Sequence, residues 1–413
     1  MSASRTAVPS RPHLTSLMYS LPVRRLREIL IHVVPNATLG TVEELISTQL
    51  PRLYALNMSD DQKLLLSFAP SLAVRLLRQE ATLLSSEATL VCFVAGSDQR
   101  AEKERTSIQG QIELPNSMAL PEIVPKLLKH SSNNREMAYP YSIFKPTAGA
   151  PLSTLSIYLS IPERRLVDKQ VGCMIRALAN HISPSDTFGN VARVLPDAYN
   201  IASPISPRAR GSAAWSEAFN TLLEGILRDG EDMAVLLPYE SIRSHYQRLS
   251  WHLDAVTQPR LVILDAGSDT NIMVERGAEK GASMTMAAGV RLTGLRSWSH
   301  GVFGDPLLCD AFENPTEGFL EGWRQGGEEL IEDKHNAETR LLLYRCYRAC
   351  VSVVTEHYRP QVDSSRRELE GRRKLTSVLA ELDKVDVVEP DVLKRARSLS
   401  GESEISKRPK LED

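Results

Sequence analysis

The chain is short of the features that would tie it to a membrane, a nucleic acid or an oxidising compartment. No apolar run approaches the roughly 20 residues that cross a bilayer. The opening residues, MSASRTAVPSRPH, carry no apolar signal core. Net charge is nearly absent: 49 basic against 51 acidic side chains leave −2, which gives no global pull toward phosphate backbones or anionic lipid. Cysteine is scarce. The five thiols, Cys92, Cys173, Cys309, Cys346 and Cys350, are odd in number and lack metal-site pairing. They read as buried, reduced side chains of an intracellular protein. His181 and His252 are isolated, with no second imidazole at metal-ligand spacing. The four tryptophans are too scattered to form a stacking platform for bases. These shortages point to a cytoplasmic protein with no membrane partner, and they weigh against nucleic acid as a partner.

What is present is a globular composition. Of 413 residues, 42% are hydrophobic and 24% charged, enough for two or three domains with a substantial core. Residues 1–20 are Ser/Pro/Arg-rich and read as a flexible N-terminus. LPVRRLREILIHVV reads as a helix, and GTVEELISTQL as another with Thr41 as its cap. RLYALNMSDDQKLLLSFAP reads as two strands joined by a turn at Ser59, Asp60 and Asp61. LAVRLLRQEATLLSSEATLVCFV follows with Leu76, Leu77, Leu83, Leu84 and Leu90 at helical spacing.

Beyond residue 145 the pattern turns helical. In ERRLVDKQVGCMIRALANHI, Val167, Val171, Met174, Ile175 and Leu178 share one face. AAWSEAFNTLLEGILRDGEDMAV, YESIRSHYQRLSWHLDAV and ETRLLLYRCYRACVSVVTEHY are further helices. RLVILDAGSDTNIMV breaks the series with a strand, a polar turn and a second strand. The Gly/Ala-rich ERGAEKGASMTMAAG reads as an extended hairpin tip. The order implies an N-terminal β-rich unit over 21–145, a helical unit over 146–385 with a β insert at 260–298, and a disordered charged tail over 386–413. The tail's basic clusters, Lys394 to Arg397 and Lys407 to Lys410, flank Ser398, Ser400, Ser403 and Ser406. They offer a route to the nucleus that phosphorylation would weaken.

Several phrases, in order, resemble the aminoglycoside phosphotransferase family, related to choline kinases. KLLLSFAPSLAVRLLRQEATLLSSEA resembles its lysine-bearing strand and glutamate-bearing helix. KQVGCMIRALANHISPSDTFG resembles its helix ending in a leucine-histidine pair and a Phe-Gly. RLVILDAGSDTNIMV resembles the catalytic loop, and LTGLRSWSHGVFGDPLL the metal-binding segment that ends Gly-Asp-Pro. The resemblance covers roughly residues 50–360. It implies an α+β, protein-kinase-like bilobal fold with a small β-rich N-lobe and a larger, mainly helical C-lobe. It also implies ATP-dependent phosphoryl transfer, with Mg²⁺, to a hydroxyl of a small molecule.

Carried over residue by residue, the resemblance makes Asp265 the catalytic base, Asn271 a metal ligand and Glu87 the helix glutamate of the cofactor site. Family histidine is Ile263 here. The Asp-to-Asn spacing is six where kinases have five. One inserted residue, such as Ser268, restores the register; an ungapped alignment puts Ala266 at the base instead. Ser67 stands at the strand lysine, with Lys63 about 13 Å along the strand; Arg75 and Arg78 are other candidate cations. LYALNMSDD has no glycine for a phosphate-covering loop. Ser297 replaces the second, anionic metal ligand that Mg²⁺ prefers. Asp269 could replace it, Asp305 matches a structural aspartate, and His300 stands near the metal segment. Two charge-neutralising groups are thus missing together. This favours an impaired, pseudokinase-like protein that uses its pocket for a small molecule or a protein partner, with ATP and Mg²⁺ as cofactors only if it is active. The alternatives are an active divergent kinase and a nuclear, partner-binding protein.

Overall fold

In the computed structural model the described residues are 21–45, 50–71, 74–107, 123–132, 135–195, 211–276 and 289–385. The N-terminal segment, the tail and the hairpin tip at 277–288 lie outside them.

The small lobe is an antiparallel sheet of strands β1 (Leu39–Leu45), β2 (Arg52–Met58), β3 (Lys63–Phe68), β4 (Lys126–Ser131) and β5 (Tyr141–Lys145), in the order β1-β2-β3-β5-β4. Its two faces follow from period-two alternation. Tyr54, Leu56, Leu64, Leu66, Phe68, Tyr141 and Ile143 form one apolar layer. Helix α1 (Val23–Val33) covers that layer with Leu26, Ile29 and Leu30. Leu65 and Phe144, which are register partners, face the opposite way and pack on the larger core. Ser67 lies on their face, opposite Ser142 on β5.

The expected helix at GTVEELISTQL is the edge strand β1, with Val42 opposite Leu56. Its outward side chains, including Glu43 and Glu44, have no core to mark a period, and the β-branched Thr41 and Val42 suit a strand. The hairpin around Ser59, Asp60 and Asp61 forms as read, with Asp61 at φ 62°. Helix α2 (Leu83–Ser107) begins later than its leucine pattern suggested, because Arg78–Glu80 forms a separate 3-10 turn.

The large lobe is mainly helical. Helix α3 (Ile161–Ala179) starts with a capping box in which Ser160 and Glu163 satisfy each other's backbone N–H groups. It buries Val167, Val171, Met174, Ile175 and Leu178. The core continues through α4 (Trp215–Asp232), α5 (Tyr239–Leu249), α6 (Glu317–Arg324), α7 (Ala337–Tyr358) and α8 (Ser364–Leu382). Gly172 and Gly322 let α3 and α6 touch: a Cβ on Gly322 would sit 1.9 Å from the Lys169 carbonyl oxygen.

Two three-stranded sheets interrupt the helices. One joins β7 (Gly189–Asn190), β11 (Gly301–Gly304) and β8 (Arg260–Ile263); the other joins β10 (Val290–Leu295), β9 (Ile272–Arg276) and β6 (Ala150–Pro151). The strands flanking the polar turn of RLVILDAGSDTNIMV therefore belong to different sheets. The turn is a crossing loop between sheets rather than the tip of a hairpin.

Candidate active site

The crossing loop is held at both ends. Leu264 N–H donates to the His300 carbonyl at 3.1 Å, and Asn271 N–H donates to Ser268 O at 2.8 Å. Asp310 brackets the middle: its own N–H donates to Leu264 O at 2.9 Å, while its Oδ1 accepts the Gly267 N–H at 2.7 Å. A Cβ on Gly267 would lie 2.7 Å from that of Ala311, so only glycine allows this approach. Burial pushes the Asp310 carboxyl up to about 7, and Asp265 adds to the shift. Asp310 follows the GDPLL phrase, but nothing in the sequence shows that it reaches back to this loop.

The loop lies directly against the GLRSW segment. Asn271 Oδ1 accepts the Ser297 N–H at 2.8 Å, and its Nδ2 donates to Ser297 O at 3.2 Å and Asp265 O at 3.3 Å. Asn271 O accepts the Arg296 N–H at 2.8 Å. Asn271, 2% exposed, thus works as a latch between the two segments. The Ser297 and Ser299 hydroxyls bond each other at 2.7 Å.

Asp265 places Oδ2 3.2 Å from His300 Nδ1, while its buried Oδ1 has no protein partner among the described residues. Ala266, the other candidate register, is buried in the core. Burial lowers the His300 pKa, but Asp265, with Glu80 and Glu87 behind it, more than reverses this, and the net shift is upward. Glu87 is brought in by α2. It is 6% exposed and accepts the Trp298 N–H at 3.0 Å through Oε1. Burial raises its carboxyl to about 7, against the lowering effect of Trp298 N–H and the Ser297 hydroxyl. Glu87, Asp265, Asn271, Ser297 and His300 therefore share one place beneath the small lobe.

The other candidates go elsewhere. Lys63 opens β3 on an exposed position opposite Asn57. Arg75 contacts the Met233 sulfur, and Arg78 is engaged by Asp229 and Asp232. Ser67, 2% exposed, has no protein partner for its hydroxyl among the described residues. Asp269 is taken by a bidentate pair with Arg164, at 2.7 and 2.9 Å, rather than facing Ser297's neighbourhood as a replacement ligand. Arg164 also holds Asp168 at 2.8 Å. That i,i+4 pair was visible in α3, but its link to Asp269 was not. Asp305 is structural: it accepts Arg340 Nε, Tyr344 OH and Leu307 N–H. Among the described residues no cluster of three or more His, Cys, Asp or Glu is placed to hold a metal, and no helix is long and apolar enough to cross a membrane.

No protein-family profile and no curated protein matches this sequence. Solved structures do match its shape. A candidate fructosamine-3-kinase from Thermobifida fusca aligns at TM-score 0.51 and 13% identity, over 85% of this chain and 98% of that one. One from Haemophilus somnus aligns at 0.50 and 12%, over 86% and 97%. A candidate aminoglycoside phosphotransferase from Ralstonia eutropha aligns at 0.51 and 11%, over 89% and 100%. Nearly the whole of each neighbour is covered, so the likeness extends through both lobes. The chain has the α+β, bilobal, kinase-like fold of these aminoglycoside phosphotransferase-like structures.

Proposed function

We propose that this protein keeps the scaffold of a small-molecule kinase but not its capacity to grip Mg·ATP, and acts by binding rather than by phosphoryl transfer. One observation carries this reading: the buried Glu87 carboxyl bonds the Trp298 N–H, while the strand that should face it with a cation carries Ser67. Phosphoryl transfer depends on neutralising and positioning phosphate charge. Here the strand cation is a hydroxyl, and the residue that should anchor the second metal is Ser297, bonded to Ser299. Asn271 spends its amide on backbone groups of Ser297 and Asp265. Mg²⁺ takes near-octahedral oxygen sites built on carboxylates, and these residues do not fit it. The ligand on this reading is a small molecule or a protein partner met at the crevice.

A divergent active kinase acting on a small-molecule hydroxyl is the competing reading. It is favoured by Asp265, which retains an unbonded Oδ1 beside His300. The test is thermal melting with millimolar Mg·ATP alongside a phosphate-release assay. The binding reading expects no stabilisation and no release. Turnover that Asp265→Asn abolishes would establish the kinase.

A further inference from the structure

The segment that lost its metal ligand gained a cation one residue earlier. Arg296 is partly buried, and burial alone moves its pKa, downward; no carboxylate contributes. No hydrogen bond or ion pair holds its guanidinium among the described residues, and no charged group adds to its shift. Its guanidinium is half-buried with its nitrogens still open to solvent, so its donors are available to a ligand.

The backbone fixes its setting. Leu292 and Leu295 of β10 sit in the large core, with a bulge between Leu292 and Gly294. The face opposite Leu295 is the one where Gly294 lies against Ile123 and Thr147, at the entry to β4 and the linker after β5. Thr293 tethers the same region by donating to Ala148 O at 2.6 Å. Arg296 follows β10 directly, and its N–H donates to Asn271 O at 2.8 Å, which sets it beside the crossing loop. The inner face of the small sheet contributes the buried Ser67 hydroxyl, which has no protein partner among the described residues.

We propose that the crevice between the lobes binds a small oxyanion, a phosphomonoester or a carboxylate, through Arg296 and without a divalent cation. A guanidinium matches such a group with two parallel N–H donors. This rests on the reading that the crevice does not hold Mg·ATP. Loss of the strand lysine and of the anionic metal ligand would then have converted a metal-bridged triphosphate site into one for a singly anchored anion.

The test uses the full chain in EDTA, with inorganic phosphate, AMP and succinate as separate probes in calorimetric titration and thermal melting. At least one probe should bind and raise the melting temperature. AMP alone indicates a nucleoside phosphate, phosphate and AMP equally a bare phosphate group, and succinate a carboxylate. Arg296→Met should weaken binding about tenfold or more, the loss of charge-assisted hydrogen bonds, and Arg296→Lys should retain part of it. Unliganded Arg296→Met should melt at or above the wild-type temperature, since an uncompensated charge has been removed. Failure of all three probes to bind, equal binding by Arg296→Met, or a marked fall in its melting temperature overturns the proposal. Absence of both Mg·ATP turnover and metal-free binding sinks this inference alone, whereas Mg·ATP turnover sinks the preceding reading with it.

Discussion

Asp305 and Glu87 are both buried carboxylates that hold one short stretch, Ser297 to Asp305, Asp305 as its last residue and Glu87 from α2 through the Trp298 N–H, yet they are treated in opposite ways. Asp305, 1% exposed, accepts from Arg340, Tyr344 and Leu307, and Tyr344 in turn accepts from Trp215 Nε1 at 2.7 Å. Glu87 has a backbone N–H, a neutral hydroxyl and the charge of His300, which together only partly offset its burial. The first is a completed network that ties α4, α7 and the sheet of β8 and β11 into one body. The second has no arginine or lysine bonded to it among the described residues, and its carboxyl stays raised. The difference separates scaffold from candidate site: polar groups are fully satisfied where they hold the fold together and less so where the crevice lies.

The comparison breaks most sharply at Asp305. Asp305→Ala leaves Arg340, which is 0% exposed, without its counter-ion. Removing one partner of a buried pair should cost about 3–5 kcal/mol in urea unfolding. Replacing both, with Asp305→Leu and Arg340→Met, should restore much of that, because an apolar pair carries no desolvation debt. A single variant losing under about 1 kcal/mol would show that the network is not the scaffold's anchor.

Glu87 should behave in the other direction. Its native carboxyl stays protonated until about pH 7, whereas in the unfolded chain it ionises near the ordinary glutamate value of 4.5. Between these pH values the unfolded state has released a proton that the native state retains, so stability falls as pH rises. The expected share is about 3 kcal/mol across that window. Glu87→Gln keeps an acceptor for Trp298 N–H and should flatten that share of the slope. Asp310, also raised to about 7, supplies a slope of the same sign that remains in the variant. An unchanged pH profile in Glu87→Gln would place the charge compensation elsewhere. Ser67→Ala sharpens the same point on a smaller scale. Deleting a buried hydroxyl with no protein partner should stabilise the chain by about 1 kcal/mol, read from the shift of the urea midpoint. A loss instead would reveal a hydrogen bond at that hydroxyl.

The sequence disclosed the scaffold better than the wiring. Helices such as α3 were legible because a core on one side imposes a 3.6-residue period on Val167, Val171, Met174, Ile175 and Leu178. β1 was not legible, because an edge strand with little buried surface imposes none, and its two glutamates suggested a helix instead. Ser67 and Ser297 could be singled out by their place in recognisable phrases. Asp310 on the crossing loop, Arg164 on Asp269 and the solitary setting of Arg296 could not. Each depends on a contact between segments distant in the chain, and no local pattern encodes the partner. The two strands flanking the polar turn were legible, but not that they join different sheets: strand identity is local, whereas the sheet a strand joins is a tertiary property.

Asp269 offers the finest discrimination. It lies in the same turn as Asp265 and was the natural substitute for the missing metal ligand, but Arg164 holds both of its oxygens. The two side chains are 33% and 37% exposed, so solvent and salt weaken the attraction. Asp269→Asn should cost only about 0.5–1 kcal/mol, and the cost should shrink as ionic strength shortens the screening length. Asp168 remains to hold Arg164, which limits the loss further. If Asp269 served a divalent ion instead, the wild-type chain would gain stability from millimolar Mg²⁺ and the variant would not. Equal melting curves with and without Mg²⁺, in both proteins, would confine Asp269 to the architecture of the turn and leave Asp265 as its one carboxylate free to meet a ligand.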